Sequence, residues 1–210
     1  RNCTEGRGAV CFQINVHRAS SVNSTVTRLP RLFAQLKSHA VFVFSREREK
    51  EYAGRFVKDA TELAMIHDVI DAAYDLVDGE TTADAASVCV ENALLHGGGG
   101  VWEQAGSWLV KLSGQHSSLD SIWSTLATNP KSTIRFRAAA HVVNMSPKAR
   151  ATTLPILLSD RSRKVRNKVV GDLWVAPCPD AAAALKARLP DERDEEIASQ
   201  IEEAIVKCNG

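Results

Sequence analysis

The sequence predicts an all-α fold in which helical hairpins stack side by side, and three observations carry that prediction. Ile134, Arg135, Phe136, Arg137 and Ala138 fall in register with Val165, Arg166, Asn167, Lys168 and Val169, a repeat of 31 residues that also sets Val142 and Val143 over Leu173 and Trp174. Around these positions apolar residues recur at i, i+3, i+4 and i+7, the spacing that gives a helix one apolar face. Turn residues recur with them, since Asn129 and Pro130, Ser159 and Asp160, and Pro190 and Asp191 lie about one repeat apart. A period in the range of about 20 to 50 residues marks units that bury their apolar faces only against neighbours.

Up to about Thr27 helical periodicity is weak, and the Ser and Asn residues from Ser20 to Ser24 read as loop. Leu29 to Leu36 suits a short helix. The run Val41 to Phe44 fits a buried strand or the apolar part of a helix, and an all-helical context favours the helix. From about Glu47 to Val77 one long helix is expected, because Phe56, Leu63, Ile70 and Val77 recur every seven residues with Ala60, Ile66 and Ala73 on the same face. Its expected role is to cap the first hairpin with a polar outer surface. The chain thus divides into 1–46, a partly irregular extension, 47–82, the capping helix, and 83–210, about four hairpins continuous with it.

In the repeat region the second helix of each hairpin is placed by Val101, Ala105 and Leu109, by Ile134, Ala138 and Val142, by Val165, Val169 and Leu173, and by Ile197, Ile201 and Ile205. The first helices are Ala85 to Leu95, Leu119 to Leu126, the stretch ending Leu154 to Leu158, and Ala181 to Leu189. Pro147 opens the third of these, where a missing N–H costs little. The run Gly97 to Gly100 has no following Lys-Ser or Lys-Thr and no preceding strand, so it reads as a helix terminator and connector.

Leu154 to Asp160, followed by Val165 and Arg166 and then by Val169 to Leu173, resembles a HEAT repeat with its turn Asp and its Val-Arg pair. The preceding unit keeps Ile134 and Arg135 but has Asn129 in place of the Asp; the last keeps Asp191 but has Ala198 where the Arg would fall. The resemblance spans about Ala83 to Cys208. It implies a HEAT-like α-α superhelix, a right-handed solenoid of helical hairpins with an atypical N-terminal cap, whose second helices line a concave surface. It also implies that Arg135 and Arg166 pair with turn groups at Asn129 and Asp160.

Net charge is only +1, but charge is segregated along the chain. Residues 131–170 carry ten Lys or Arg and one carboxylate, Asp160, whereas residues 51–100 carry ten Asp or Glu against Arg55 and Lys58. Separated fields of opposite sign orient an approaching partner. Arg135, Arg137, Lys164, Arg166 and Lys168 are therefore the candidate binding residues, a row of cations on second helices that suits an acidic protein or a phosphate backbone. For Arg135 and Arg166 a structural role competes with binding; for the other three, a merely solvated surface does. Asp68, Asp71, Asp75 and Asp78 form an acidic stripe read as a solvated outer face, with docking of a basic partner as the alternative.

The chain contains no His-Glu-x-x-His, Gly-x-Ser-x-Gly or Gly-Lys-Ser pattern, and its six His residues stand apart. The expected function is a non-enzymatic protein-binding module, a scaffold, adaptor or inhibitor, with no cofactor and no metal site. The competing reading is nucleic-acid binding to DNA or RNA. HEAT-like arrays include DNA glycosylases for alkylated bases, and Trp102, Trp108, Trp123 and Trp174 with Asp120 as catalytic carboxylate supply the residue types. Trp174, aligned with Val143, reads as core, and His141 as structural or surface. A composition 44% hydrophobic and 24% charged suits one domain with a substantial core. No apolar run approaches the roughly 18 residues of a membrane span. The scattered Cys3, Cys11, Cys89, Cys178 and Cys208 favour a reducing compartment. A cytoplasmic location is expected; because the chain opens on Arg1, a removed leader and secretion are the alternative.

Overall fold

The computed structural model describes residues 42–209. The irregular stretch up to Thr27, the short helix over Leu29 to Leu36, Val41, Cys3 and Cys11 lie outside the described residues. Within them the fold is all-helical, with ten α-helices, short 3-10 turns and no strand. Helices α1 (Arg46–Phe56) and α2 (Ala60–Asp78) lead into four hairpins. These are α3 (Ala83–His96) with α4 (Gly99–Ser113), α5 (Ser121–Ala127) with α6 (Ser132–Ala139), α7 (Pro147–Leu158) with α8 (Arg163–Val175), and α9 (Ala182–Arg188) with α10 (Glu195–Asn209). The two helices of each hairpin pack together, and between hairpins like packs on like: α3 on α5 on α7 on α9, and α4 on α6 on α8 on α10.

The repeated apolar stripes meet in one continuous core. Val90 and Leu94, Leu109 and Leu112, Trp123 and Leu126, Leu154 and Leu157, Val169 and Leu173, and Ile197 and Ile201 are all buried in it. Each such side chain contributes about 1.5–3 kcal/mol by leaving water. Helix starts follow the polar residues in the sequence. Thr82 accepts from the amide of Ala85 ahead of α3, and Ser146 from that of Ala149 ahead of α7, caps worth about 1 kcal/mol each. No helix among the described residues is long and apolar enough to cross a membrane. Cys89, Cys178 and Cys208 are free thiols.

Two expectations for the N-terminal part are corrected. The single helix over 47–77 is a hairpin: Val57 is extended, and Asp59 restarts the helix by accepting from the amides of Thr61 and Glu62. Asp59 followed three residues later by Glu62 has the spacing of a helix start, and the seven-residue stripe running through it conceals that break. The chain then folds back, so that Arg46 meets Asp75 and Lys50 meets Asp71, each at 2.6 Å. The acidic stripe of α2 is thus faced by cations of its own chain. The second correction is that Phe42 to Phe44 are irregular. Phe42 is buried against Tyr74 and Trp108, with ring centroids at 4.3 and 5.1 Å, and the Phe44 carbonyl accepts from the Tyr74 hydroxyl at 2.5 Å.

Successive hairpins are joined by arginines at the repeated position. Arg135 of α6 donates through Nη1 to the carbonyls of Asn129 and Pro130 in its own turn, both at 2.9 Å. Its Nε and Nη2 hold the carboxylate of Asp160, in the next turn, at 2.5 and 3.0 Å. One repeat on, Arg166 donates to the Asp160 carbonyl at 2.9 Å and grips the Glu192 carboxylate at 2.8 and 3.0 Å. Burial alone would raise the pKa of Glu192, but Arg166, the amide of Asp194 and Arg188 together pull it down to about 2. Asp160 is held below the usual carboxylate range in the same way, Arg135 and the Ser162 amide outweighing burial. Bidentate pairs of this kind are the strong members of the hydrogen-bond family.

His141, at the end of the second hairpin, is buried between Trp102 and Trp123, with ring centroids at 6.0 and 5.5 Å. A Cβ at position 106 would run into its imidazole, so Gly106 makes room for the ring. Burial, with a smaller contribution from the charge of Lys168, pushes its pKa down to about 4.

Two outcomes follow for stability. Arg135→Met strands the Asp160 carboxylate in the interior and is expected to cost about 3–5 kcal/mol in urea unfolding, whereas Arg135→Met with Asp160→Leu costs markedly less. A double variant as unstable as the single one would show that the pairing is not what matters. For His141, the folded pKa lies below the ordinary value of 6.5, so the unfolded chain binds the extra proton first. Its contribution is therefore intact above pH 6.5 and is lost as pH falls towards 4, by about 3 kcal/mol in full. His141→Phe should flatten the stability profile across that interval; an unchanged slope would assign it to other groups.

Candidate functional site

The ladder of arginines decides which cations are left without a carboxylate. Arg135 is buried and committed to Asp160, and Arg166 to Glu192. Lys168 pairs with Asp172 on its own helix at 2.9 Å. Outside the five candidates, Arg150 is also consumed, donating to the carbonyls of Val142, Val143 and Met145 and to the Asp180 carboxylate. Arg163 is held by Asp194 and Glu196. Arg137 and Lys164 have no carboxylate partner among the described residues.

These two sit beside a departure from the repeat. Counting back 33 residues from Arg135, the ladder position on α4 holds Trp102, so no arginine from α4 reaches the Asn129 turn. Arg137 reaches back instead, donating to the Leu94 carbonyl at the end of α3 at 2.5 Å with its guanidinium 5.8 Å from the Trp102 ring centroid. Partial burial with no carboxylate beside it lowers its pKa below the usual guanidinium value. Lys164, exposed at the start of α8, holds its ammonium 4.8 Å from the Phe136 ring centroid. Contacts of this sort are worth about 0.5–1 kcal/mol where solvent reaches them.

Around this cluster lie two adjoining clefts that share Trp102 and Phe136. The first, of about 250 Å³, runs between α6 and α8 and is lined also by Arg137, Lys164 and Val165. The hydroxyls of Ser132, Thr133 and Ser162 complete it and make no hydrogen bond among the described residues. Both helices begin there without a side-chain cap. The second cleft, of about 370 Å³, is lined by Glu103, Ala140, His141 and Lys168 beside the two shared rings. The pair offers hydrogen-bond donors and positive charge on one side, and on the other two aromatic rings and Ala140 beside His141, Glu103 and Lys168. That combination binds an anionic group carried next to an apolar or planar one.

The residues of the glycosylase reading are placed apart. Asp120 is buried and accepts from the Ser146 hydroxyl at 3.0 Å. Its cleft is lined by serines, Lys148, Ala149 and Thr152, with no aromatic side chain among them. Trp123 is fully buried, and Trp108 belongs to the cluster with Phe42 and Tyr74. Trp174, expected in the core, is 39% exposed. Its indole donates to Glu203 and its ring carries the Lys207 ammonium at 3.5 Å, because the last helix covers only one side of it.

Composition and charge pointed to the cations of this site but missed its aromatic walls. In the sequence Trp102 stands out only as one of four tryptophans, and Phe136 only as a register position of the repeat. The register contained the signal, since Trp102 occupies the place where later units carry arginine. No family model, curated protein or solved structure matches the chain.

Proposed function

We propose that the chain is a non-enzymatic protein-binding module, a scaffold, adaptor or inhibitor, that captures an acidic partner protein through the face formed by α4, α6 and α8. The hairpin repeat and the like-on-like packing of its helices support a HEAT-like superhelix in which those second helices line the concave side. The observation that carries the functional reading is the placement of Arg137 and Lys164, uncompensated by carboxylates among the described residues, at the rim of an aromatic cleft. Cations that hold a fold together are paired, as Arg135 and Arg166 are. Two that lack a carboxylate and stand over half-buried rings suit a charged partner. The scattered free cysteines support a cytoplasmic setting.

Nucleic-acid binding is the weaker reading because carboxylates interrupt the cationic face. Glu103 flanks it on one side; Asp172 is engaged with Lys168 on another, and Asp194 and Glu196 with Arg163. A phosphate backbone needs a track of cations.

Reversing Arg137, Lys164 and Lys168 together to Glu should abolish affinity capture of the partner, identified by mass spectrometry, with the circular dichroism of the helices unchanged. Unaltered capture would place the binding surface elsewhere. Random-sequence duplex DNA is expected not to bind even at about 50 mM salt; affinity that collapses between about 50 and 200 mM would favour the nucleic-acid reading instead.

A further inference from the structure

The two adjoining clefts differ in chemistry, and that difference narrows the partner. The first gathers donors in excess of what a carboxylate can use. Arg137 has five N–H groups, of which one is spent on the Leu94 carbonyl; Lys164 has three, and Ser132, Thr133 and Ser162 add their hydroxyls. A carboxylate presents two oxygens in a plane. A phosphate monoester presents three in a tetrahedral arrangement with nearly twice the charge, and so engages donors arriving from several directions. Here they come from two helices, with the Trp102 and Phe136 rings forming the wall from which the guanidinium and ammonium project. On the same rings lies the second cleft, where Ala140 and the ring faces stand beside a buried, uncharged His141, and Glu103 and Lys168 complete the lining.

We propose that the α6–α8 cleft receives a phosphorylated serine or threonine side chain from an extended segment of the partner protein, and that the adjoining cleft takes an apolar or aromatic residue next to it. This rests on the acidic-partner reading and sharpens it. The protein source is favoured over a nucleic acid by charge. One phosphoryl group matches the cleft's Arg137 and Lys164, whereas Glu103 lines the adjoining cleft and Asp172 and Glu196 already engage Lys168 and Arg163, cations that the neighbouring phosphates of a continuous strand would need. Recognition of a single phosphorylated side chain by a small arginine and lysine cluster is a general mode of peptide binding.

The test uses the full chain immobilised and two peptide libraries with randomised flanks, one with a central phosphoserine and one with serine, alongside single-stranded oligo(dT). The phosphoserine library should be retained about tenfold or more over its serine twin, and sequencing of the retained pool should show enrichment of aromatic or large apolar residues beside the phosphoserine. Lys164→Gln, at an exposed position with no hydrogen bond to lose, should erase most of that preference, while Lys148→Gln, in the cleft of Asp120, should leave it intact. Equal retention of both libraries, weakened alike by Lys164→Gln, would overturn the phosphoryl assignment and leave the acidic-partner reading standing. Preference for oligo(dT) over both libraries would overturn the two together. Retention of neither library would also overturn the assignment, with the charge-reversal capture experiment deciding the broader reading independently.

Discussion

Arg135 and Arg166 solve a problem that every stack of helical hairpins faces. The turn joining the two helices of a unit leaves backbone carbonyls without helical partners, and the next unit must be held at a defined angle against it. A single guanidinium meets both needs. One nitrogen satisfies the carbonyls of its own turn, and the remaining edge binds a carboxylate in the turn that follows. Apolar packing supplies most of the attraction between hairpins but has little directional preference. The planar, bidentate pair supplies direction. It also explains why the carboxylates differ in type along the series, Asp160 in one turn and Glu192 in the next, since what recurs is the position of the charge rather than the residue.

The same device accounts for where the candidate site lies. A ladder with an arginine at each step would neutralise its own cations and present a quiet surface. At the first step the arginine is replaced by Trp102, and Arg137, two residues on from Arg135 and on the other side of the helix, turns back to a carbonyl of the previous hairpin. It is left partly desolvated with no carboxylate beside it. The neighbouring step supplies Lys164 over Phe136. A break in a structural pattern thereby becomes a patch of available charge, and one of the two rings that flank it, Trp102, arises from the same substitution.

Before the repeats begin, the chain answers its own charge. The acidic residues of α2 would repel one another at helical spacing, and α1 folds back to lay Arg46 and Lys50 against them. Phe42 seals the adjoining end by packing on Tyr74 and Trp108. The charge asymmetry along the sequence is therefore partly an asymmetry of order along the chain rather than of exposed surface.

The helical class, the 31-residue repeat, the four hairpins and the punctuation at Pro147, Asp160 and Pro190 were legible in the sequence, because helix periodicity and turn chemistry are local properties. The identity of the cations near the site was legible for the same reason. Partnership was not. Whether Arg135 faces a turn or a ligand depends on Asp160, 25 residues away, and whether Lys50 is free depends on Asp71; such pairs are set by how helices pack, which no local pattern encodes. The long seven-residue stripe from Phe56 to Val77 misled for a related reason, since Phe56 ends α1 and is 60% exposed, and only packing shows that it does not share the face that buries Ile70 and Val77. The sequence by itself determined the units and their order. Tertiary structure alone decided which charges cancel, and so where charge remains without a counter-charge.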